Sequence, residues 1–243
     1  MMRELYTIRF TALRLSREWI VLLLLFGVPI VLVTLFSVIL ADIEYMGVSA
    51  VDETNVLMVL AFQLFGGTVA MNYIYLDFFT ERRYRIQSLP INTSLYGFTL
   101  MLLGTLYSIL LGAILVGYST LVWDVNWGNI PWSIFIITLM ALLSSIICLL
   151  LTFSVKKFSI AERLSEVYGI GAILLAGLFF PMPDNAVINW VNEYVNPIAL
   201  AYEAVDAYRN ANVEDAWMNA GLLGGLIVIT FVIMLLLGRR RMP

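Results

Sequence analysis

The sequence has no histidine and a single cysteine, Cys148, which excludes several classes of site from this chain. A Ser/His/Asp triad and a His-ligated zinc both need histidine, and a disulfide framework needs further cysteines. Cys148 lies in the middle of an apolar stretch. We interpret it as a packing or lipid-facing residue rather than as a reactive thiol.

Lysine is almost as scarce, because Lys156 and Lys157 are the only two in the chain and both lie in the segment SVKKFS. A phosphate-binding loop of the type G-x-x-x-x-G-K-[ST] needs glycines whose backbone amides hold the phosphates, and this segment has none. We therefore predict that the chain binds no cofactor of its own and does not hydrolyse ATP alone.

Charge is also sparse, since 13% of the 243 residues are charged while 61% are hydrophobic. That is more apolar side chain than a soluble domain of this size buries in one core. The composition predicts an all-α integral membrane protein in which the bilayer surrounds the excess.

Six apolar stretches are long enough to cross a hydrocarbon layer, which takes about 20 helical residues. The fifth is short and ends at Pro181 and Pro183, which favours a broken or re-entrant helix. The six predicted spans are residues 19–40, 55–76, 95–123, 132–155, 167–182 and 217–238.

The interiors of these predicted spans contain no Asp, Glu, Lys or Arg. A transporter driven by protons usually needs an ionisable group inside the membrane to bind and release the proton. Proton coupling is therefore disfavoured, whereas backbone carbonyls remain able to bind Na⁺.

Basic residues are distributed asymmetrically between the predicted loops. Thirteen of the fourteen Lys and Arg residues fall on one side of the membrane, and only Arg209 falls on the other. The positive-inside rule then places both termini in the cytoplasm. The opposite loops are acidic, which either attracts a cationic cargo or only keeps that surface hydrated.

Residues 1–18 precede the first span and are predicted to form an amphipathic interfacial helix. Leu5, Ile8 and Leu15 share one face at helical spacing, while Arg3 and Arg14 lie on the opposite face. Such a helix lies along a leaflet with its arginines toward the lipid phosphates.

The segment DFFTERRYRIQSLPIN, residues 77–92, interrupts the apolar sequence with five charges between Asp77 and Arg85. The pattern predicts a short charged helix that Pro90 ends. Interleaved apolar and basic side chains suit docking into a groove of a cytosolic partner. A positive-inside anchor with no further role is the alternative interpretation.

The longer stretch FFTERRYRIQSLPINTSLYGFTL resembles the segment after the second span in ABC-2 type transporter permeases. In that family the segment is the coupling helix, which seats in a cleft of the ATP-binding subunit. The resemblance implies a cytoplasmic coupling helix over residues 77–90. Its ATPase-coupling residues would be Glu81, Arg82, Arg83 and Arg85, with Ser88, Leu89 and Pro90 forming the turn.

The resemblance extends over residues 1–243 as a single ABC-2 type transmembrane domain. PDNAVINWVNEYVNPIALAYEAVDAYRN is similar to the family's outer re-entrant helices, here residues 184–210 between spans five and six. The spacing of its apolar residues predicts two short amphipathic helices, with Asn196 and Pro197 as the N-cap and first turn of the second.

The family resemblance also implies partners. A permease of this kind pairs as a dimer, here as two copies of the chain, and joins an ATP-binding cassette subunit that binds ATP and Mg. It implies an exporter in the plasma membrane with lipid around it and no nucleic acid as partner, and we expect a bacterial source. Amphipathic peptides of antimicrobial or toxin type, or hydrophobic compounds, are the expected cargo. Lipid-linked polymers are the alternative.

Small polar residues and glycines within the spans are candidates for two roles. Gly66 and Gly67, and likewise Gly112 and Gly117, allow helices to approach closely. A pathway for an amphipathic cargo would need polar groups between apolar walls, and the candidates for lining it are Gln63, Thr68, Asn72, Tyr73, Thr105 and Ser108.

Two other classes of function remain open from the sequence. A membrane-embedded enzyme would need paired carboxylates at one depth, which the predicted spans do not offer. A non-transporting anchor or signalling subunit would bind a cytosolic partner and move no cargo. ATP-dependent transport distinguishes this anchor from a permease.

Overall fold

The computed structural model describes residue 13 and residues 19–45, 48–88, 93–177 and 183–241. The described chain is helical except for two short strands, β1 (Glu44–Tyr45) and β2 (Val48–Ser49), which pair antiparallel. The helices are α1 (Trp19–Leu40), α2 (Ala50–Phe78), α3 (Arg82–Gln87), α4 (Thr93–Trp123), α5 (Ile130–Ser154), α6 (Phe158–Leu175), α7 (Ala186–Tyr194), α8 (Pro197–Arg209) and α9 (Val213–Arg241).

Four of these helices are long and apolar enough to cross a membrane. They are α2, the Leu95–Trp123 part of α4, α5, and the Val213–Arg239 part of α9. Each contains one predicted span or most of one. The expected all-helical membrane architecture is therefore confirmed at the level of four candidate spans.

Of the two remaining predicted spans, the first lies on α1 and residues 167–175 of the fifth lie on α6, while residues 178–182, with the predicted break at Pro181, lie outside the described residues. In α1 the segment Phe26–Leu40 is apolar. Helix α6 begins at Phe158, nine residues before the predicted span starts at Val167. The first half of α6 is amphipathic and carries charged side chains, so an apolar pattern cannot indicate where this helix begins. The predicted interfacial helix over residues 1–18 lies outside the described residues except for Leu13, which is exposed.

Helix α2 is the centre of the bundle. It packs against α1, α4, α5, α6 and α8, and 72% of its most apolar window is buried. The corresponding share for α9 is 17%. Leu60, Leu64 and Ile74 of α2 are among the most completely buried large side chains. The bundle is therefore arranged around α2, while α9 packs mainly on α5 and α8.

Close contact between α2, α4 and α5 depends on three of the four glycines that the sequence predicts to lie at helix contacts, namely Gly66, Gly67 and Gly112. A Cβ atom on Gly66 would collide with the Ser108 hydroxyl, and one on Gly67 would collide with the backbone of Ser144. A Cβ on Gly112 would lie 2.5 Å from Ile137 Cγ2. At Gly117 a Cβ would meet no atom of the described residues within 4 Å, so the predicted close contact is not seen within the described part of the chain.

Hydrogen bonds also join α2, α4 and α5 where they are in close contact. We call the residues that form these bonds the polar seam, and they are Gln63, Gly67, Thr105, Ser108, Ser144 and Ser145. Ser144 Oγ donates to the Leu64 carbonyl at 2.6 Å and accepts from Gly67 N at 3.0 Å. Ser108 Oγ donates to Gln63 Oε1 at 2.7 Å. Such bonds between membrane helices stabilise a bundle by about 0.6 kcal/mol each on average.

At the opposite end of the bundle from α3, the short helices α7 and α8 follow each other directly. The expected cap is confirmed, since Asn196 Oδ1 accepts from Ile198 N and Pro197 occupies the first turn of α8. Asn196 Nδ2 also donates to Ala172 O of α6 at 3.0 Å and to Asn192 Oδ1 at 2.9 Å. One buried side chain thus joins α6, α7 and α8.

Candidate functional site

The candidate site is the charged helix α3 and the end of α2 that carries it. Helix α2 ends at Phe78, after which the Thr80 hydroxyl donates back to the Leu76 carbonyl at 2.5 Å. Arg82 N then approaches Thr80 Oγ1 at 3.4 Å as α3 begins. A link of three residues, Phe79 to Glu81, therefore fixes how α3 leaves the bundle.

The coupling residues predicted from the resemblance lie on an open surface. Glu81 is the N-cap of α3, Arg82, Arg83 and Arg85 are on the helix, and all four are exposed. Ser88 is the C-cap, and its hydroxyl donates to the Arg85 carbonyl at 2.7 Å. Leu89 and Pro90 lie outside the described residues.

An aromatic side chain stands among these arginines. Tyr84 is 61% exposed. The Arg83 guanidinium lies 4.7 Å from the centroid of the Tyr84 ring and donates to its hydroxyl at 2.8 Å. A large exposed aromatic ring with a stacked arginine is the type of group found at the centre of protein interfaces. Helix α3 thus presents a basic surface with an apolar centre.

Below α3, the carboxylate of Asp77 is buried. Asp77 is 2% exposed and accepts a hydrogen bond of 2.7 Å from the Tyr96 hydroxyl of α4. Arg82 Nη1 lies 3.9 Å from the other carboxylate oxygen. Phe78 packs beside them, with its ring 5.8 Å from that of Tyr96. The end of α2 therefore contacts both α3 and α4 through one charged group.

The predicted pathway residues divide into two groups. Gln63, Tyr73, Thr105 and Ser108 are buried, and three of them belong to the polar seam between helices. Thr68 is half-buried and Asn72 is exposed. The first group lies where the helices of one chain meet, and the second lies on the surface of α2.

The surface residues of α2 form one stripe at helical spacing. Phe62, Phe65, Thr68, Asn72 and Tyr75 are half-buried or exposed, while most of the positions between them are buried. Gly169 of α6 packs on Phe65, because a Cβ at that glycine would lie 2.7 Å from Phe65 Cε1. Over these residues the stripe is the least buried side of the central helix, and α6 covers part of it, since the Tyr75 ring also stacks on Phe158 of α6 at 4.0 Å.

An open cavity of about 620 Å³ lies between α7, α8 and the beginning of α9. Its walls carry the carboxylates of Glu193, Glu203, Asp206 and Asp215 together with asparagine side chains. Partial burial, and then the nearby carboxylates of Asp206 and Asp215, raise the pKa of Glu203. Within the described residues, no group of three or more Asp, Glu, His or Cys is placed to hold a metal.

Arg209 fixes one side of this cavity. It forms an ion pair with Asp206, and its Nη1 donates to the Asn126 carbonyl at 3.3 Å. That carbonyl belongs to the connection between α4 and α5. The single basic residue on the predicted outer side is therefore a structural contact between α8 and this connection.

The sequence does not predict the contact between Tyr96 and Asp77 at this site. From the sequence, Asp77 is the first charge of the segment and the first residue of the implied coupling helix, with no partner of its own predicted. The available signal was a carboxylate directly at the end of an apolar span, where a buried charge needs a partner. The identity of that partner depends on the packing of α2 against α4.

The family model described as "ABC-2 type transporter" matches residues 5–208 of the chain. Individually curated proteins give no match. Since the family match covers most of the sequence, the chain belongs to the ABC-2 type transporter family, and the resemblance stated above is confirmed. It is a multi-pass membrane protein and the permease component of an ABC transporter, which implies an ATP-binding partner subunit.

Proposed function

We propose that the chain is the membrane subunit of an ATP-driven exporter, with α3 as the helix that docks into the ATP-binding subunit. The observation that carries this is the exposed basic surface of α3 around Tyr84, attached to the central helix α2 by a link of only three residues. A movement of α3 is thereby transmitted to the helix with the most contacts in the bundle.

The proposed export unit contains six spans per chain. In addition to the four candidate spans, α1 and α6 are the other two spans. Helices α7 and α8 are re-entrant helices on the outer side. Both termini and α3 face the cytoplasm of a bacterial cell. ATP and Mg bind to the partner, since this chain lacks a phosphate-binding loop.

We place the cargo pathway between two copies of the chain, along this partly exposed stripe of α2. The polar seam is filled by side chains bonded to one another, so it is unsuited to a moving cargo. The stripe combines Phe62 and Phe65 with Thr68 and Asn72 and has no charge among these residues. Such a wall suits amphipathic peptides or hydrophobic compounds, and lipid-linked polymers are the second candidate cargo.

The test begins with co-purification of the permease and the ATP-binding subunit encoded beside it. The variant R83A/R85A removes two exposed charges of α3, whereas K156A/K157A removes two exposed charges between α5 and α6 as a matched control. We expect the α3 variant to insert normally but to lose partner binding or stimulation of ATP hydrolysis. The control should retain both.

Normal stimulation of ATP hydrolysis by R83A/R85A would reject α3 as the docking helix. Stable partner binding without ATP-dependent transport of any amphipathic peptide or hydrophobic dye would instead favour the anchoring or signalling function.

A further inference from the structure

The first half of α6 exposes charged and apolar side chains over the same length of helix. Arg163 Nη1 and Glu166 Oε2 form an ion pair at 2.9 Å, with side chains 79% and 50% exposed, and Glu162 is also exposed. Exposed apolar side chains alternate with these charges along the sequence, namely Ile160, Leu164 and Val167. What surrounds the charged side chains depends on how deep this segment lies.

Two contacts with α2 fix the depth of this segment. The Phe158 ring stacks on Tyr75 with ring centroids 4.0 Å apart, and a Cβ on Gly169 would lie 2.7 Å from Phe65 Cε1. The two helices are therefore antiparallel and in step. Each residue gained along α6 from Phe158 corresponds to one residue back along α2 from Tyr75.

This register places the ion pair at membrane depth. Glu166 lies level with Gly67, eleven residues before α2 ends at Phe78 and therefore about 16 Å from that end. A hydrocarbon layer is about 30 Å thick, so the pair lies well inside it. Charged side chains at such a depth are costly in lipid, and they face a water-filled cavity or another part of the protein.

Helical spacing puts the charged and the apolar side chains on different sides of α6. At 3.6 residues per turn, Glu162 and Glu166 lie beside Gly169, which contacts α2. Leu164 lies beside Ala161, which is buried where α6 meets α5. The charged side of α6 therefore borders α2, whereas the apolar side lies next to α5 and faces outward.

Asn72 of α2 adjoins this charged side. It is the only exposed residue of α2, all of whose residues the structure describes. At helical spacing it lies between Phe65 and Tyr75, the two α2 residues that contact α6. In the antiparallel register it lies about level with Glu162. An uncharged amide of α2 and the charges of α6 therefore border the same groove.

We propose that Asn72, Glu162, Arg163 and Glu166 line a water-filled vestibule that opens to the cytoplasm and receives the polar side of an amphipathic cargo. Water there hydrates the ion pair at a depth where lipid does not. The neighbouring stripe of α2 is the apolar wall. The vestibule itself follows from charge and depth, whereas its use by cargo rests on the proposed export function. It favours amphipathic peptides over hydrophobic compounds, because only the former need a hydrated wall.

Cysteine reactivity distinguishes water from lipid at this depth. Glu162→Cys and Glu166→Cys are on the charged side, with Leu164→Cys between them on the apolar side as the control, all combined with Cys148→Ala. The complex with the ATP-binding subunit, in inside-out vesicles, is treated with a membrane-impermeant maleimide. Because the reactive thiolate forms only where water reaches, we expect both charged-side thiols to react at least about tenfold faster than the control.

Glu162→Cys leaves the ion pair of Arg163 and Glu166 intact, so its result does not depend on how the chain tolerates an unpaired arginine. Reaction no faster at Glu162→Cys than at Leu164→Cys overturns the vestibule. So does reaction at Glu162→Cys alone when the Glu166→Cys complex still hydrolyses ATP, because water then stops short of the ion pair. If Glu166→Cys fails to assemble, Asn72→Cys takes its place with the same expected rate.

The cargo is tested on the Glu162→Cys complex with a synthetic amphipathic peptide and a neutral hydrophobic dye. A peptide that stimulates ATP hydrolysis should, at about ten times its half-maximal concentration, slow the labelling about tenfold, whereas the dye should not. Unchanged labelling overturns the vestibule as a cargo entrance, and equal protection by the dye overturns its preference for amphipathic cargo. If neither compound stimulates ATP hydrolysis, the proposed export function fails, and the labelling rates alone decide whether the vestibule exists.

Discussion

At the residue scale, Gly67 is a position where the contact between α2 and α5 leaves no room for a Cβ atom. A Cβ there meets backbone atoms of Ser144, which no side-chain rotation can relieve. Gly67→Ala is expected to destabilise the chain by about 1–3 kcal/mol. Gly117→Ala is the control and should be neutral or stabilising by up to about 1 kcal/mol, since alanine is the better helix former. Unfolding in mixed micelles measures both.

Ser144 contributes through hydrogen bonds at the same contact. Ser144→Ala removes a bond to the Leu64 carbonyl and one from Gly67 N, so we expect a loss of about 0.6–1.7 kcal/mol in the same unfolding assay. Ser165→Ala removes a buried hydroxyl that bonds to Glu162 O of its own helix and should cost less. Equal costs would show that the bond between helices adds nothing.

Glu203 should make stability depend on pH, because its pKa is raised in the folded chain. Folding favours the protonated form of Glu203. The contribution of Glu203 to the free energy of unfolding is therefore fully present in acid and is lost as the pH rises through its pKa in the folded chain. Glu203→Gln should therefore match wild type at acidic pH and have a higher melting temperature at neutral pH. A difference that stays constant with pH contradicts the assignment.

At the scale of elements, α7 and α8 begin with asparagine caps of different kinds. Asn185 is exposed and accepts from Val187 N, whereas Asn196 is buried and also bonds to α6 and α7. Asn185→Ala should cost about 0.5–1 kcal/mol of stability. Asn196→Ala should cost up to about 3 kcal/mol, because it leaves the buried Ile198 N–H without its cap.

These two costs are compared by thermal unfolding in detergent. A larger effect at Asn185 would mean that α7, rather than the junction of three helices at Asn196, limits the stability of this end.

Some elements could be predicted from the sequence because their signal is local. Apolar length predicts α2, α4, α5 and α9, and the Asn196 cap follows from adjacent residues. Apolar length alone does not show that α6 begins at Phe158, since its amphipathic first half has no long apolar run.

The candidate site was predictable only in part. The charged segment predicts an exposed helix, and the exposed arginines of α3 agree with that. The contact of Asp77 with Tyr96 joins residues 19 positions apart on two helices, and it exists only because α2 packs on α4. Likewise, hydropathy does not show that Gln63 and Ser108 bond to each other rather than face an open space.

At the scale of the whole molecule, the proposed orientation can be tested by cysteine labelling in intact cells. Native Cys148 is 2% exposed and should give little background. A membrane-impermeant maleimide should label Asn210→Cys from outside and Lys157→Cys only after permeabilisation, because basic loops stay in the cytoplasm. The reverse pattern would invert the topology and place α3 outside the cell.

The central position of α2 also bears on how the chain enters the membrane during synthesis. Its apolar window has a mean hydropathy of 1.5, below the 2.2 to 2.9 of the other three candidate spans. Polar residues such as Asn55 and Gln63 lower it, and they are tolerated because neighbouring helices cover them. Asn55 donates to Ser37 of α1, whereas Gln63 accepts from Ser108 of α4, which is translated after α2. Among the four candidate spans, the helix that organises the finished bundle is therefore the one least able to partition into lipid alone, and we expect its stable insertion to wait for α4, which is still on the ribosome.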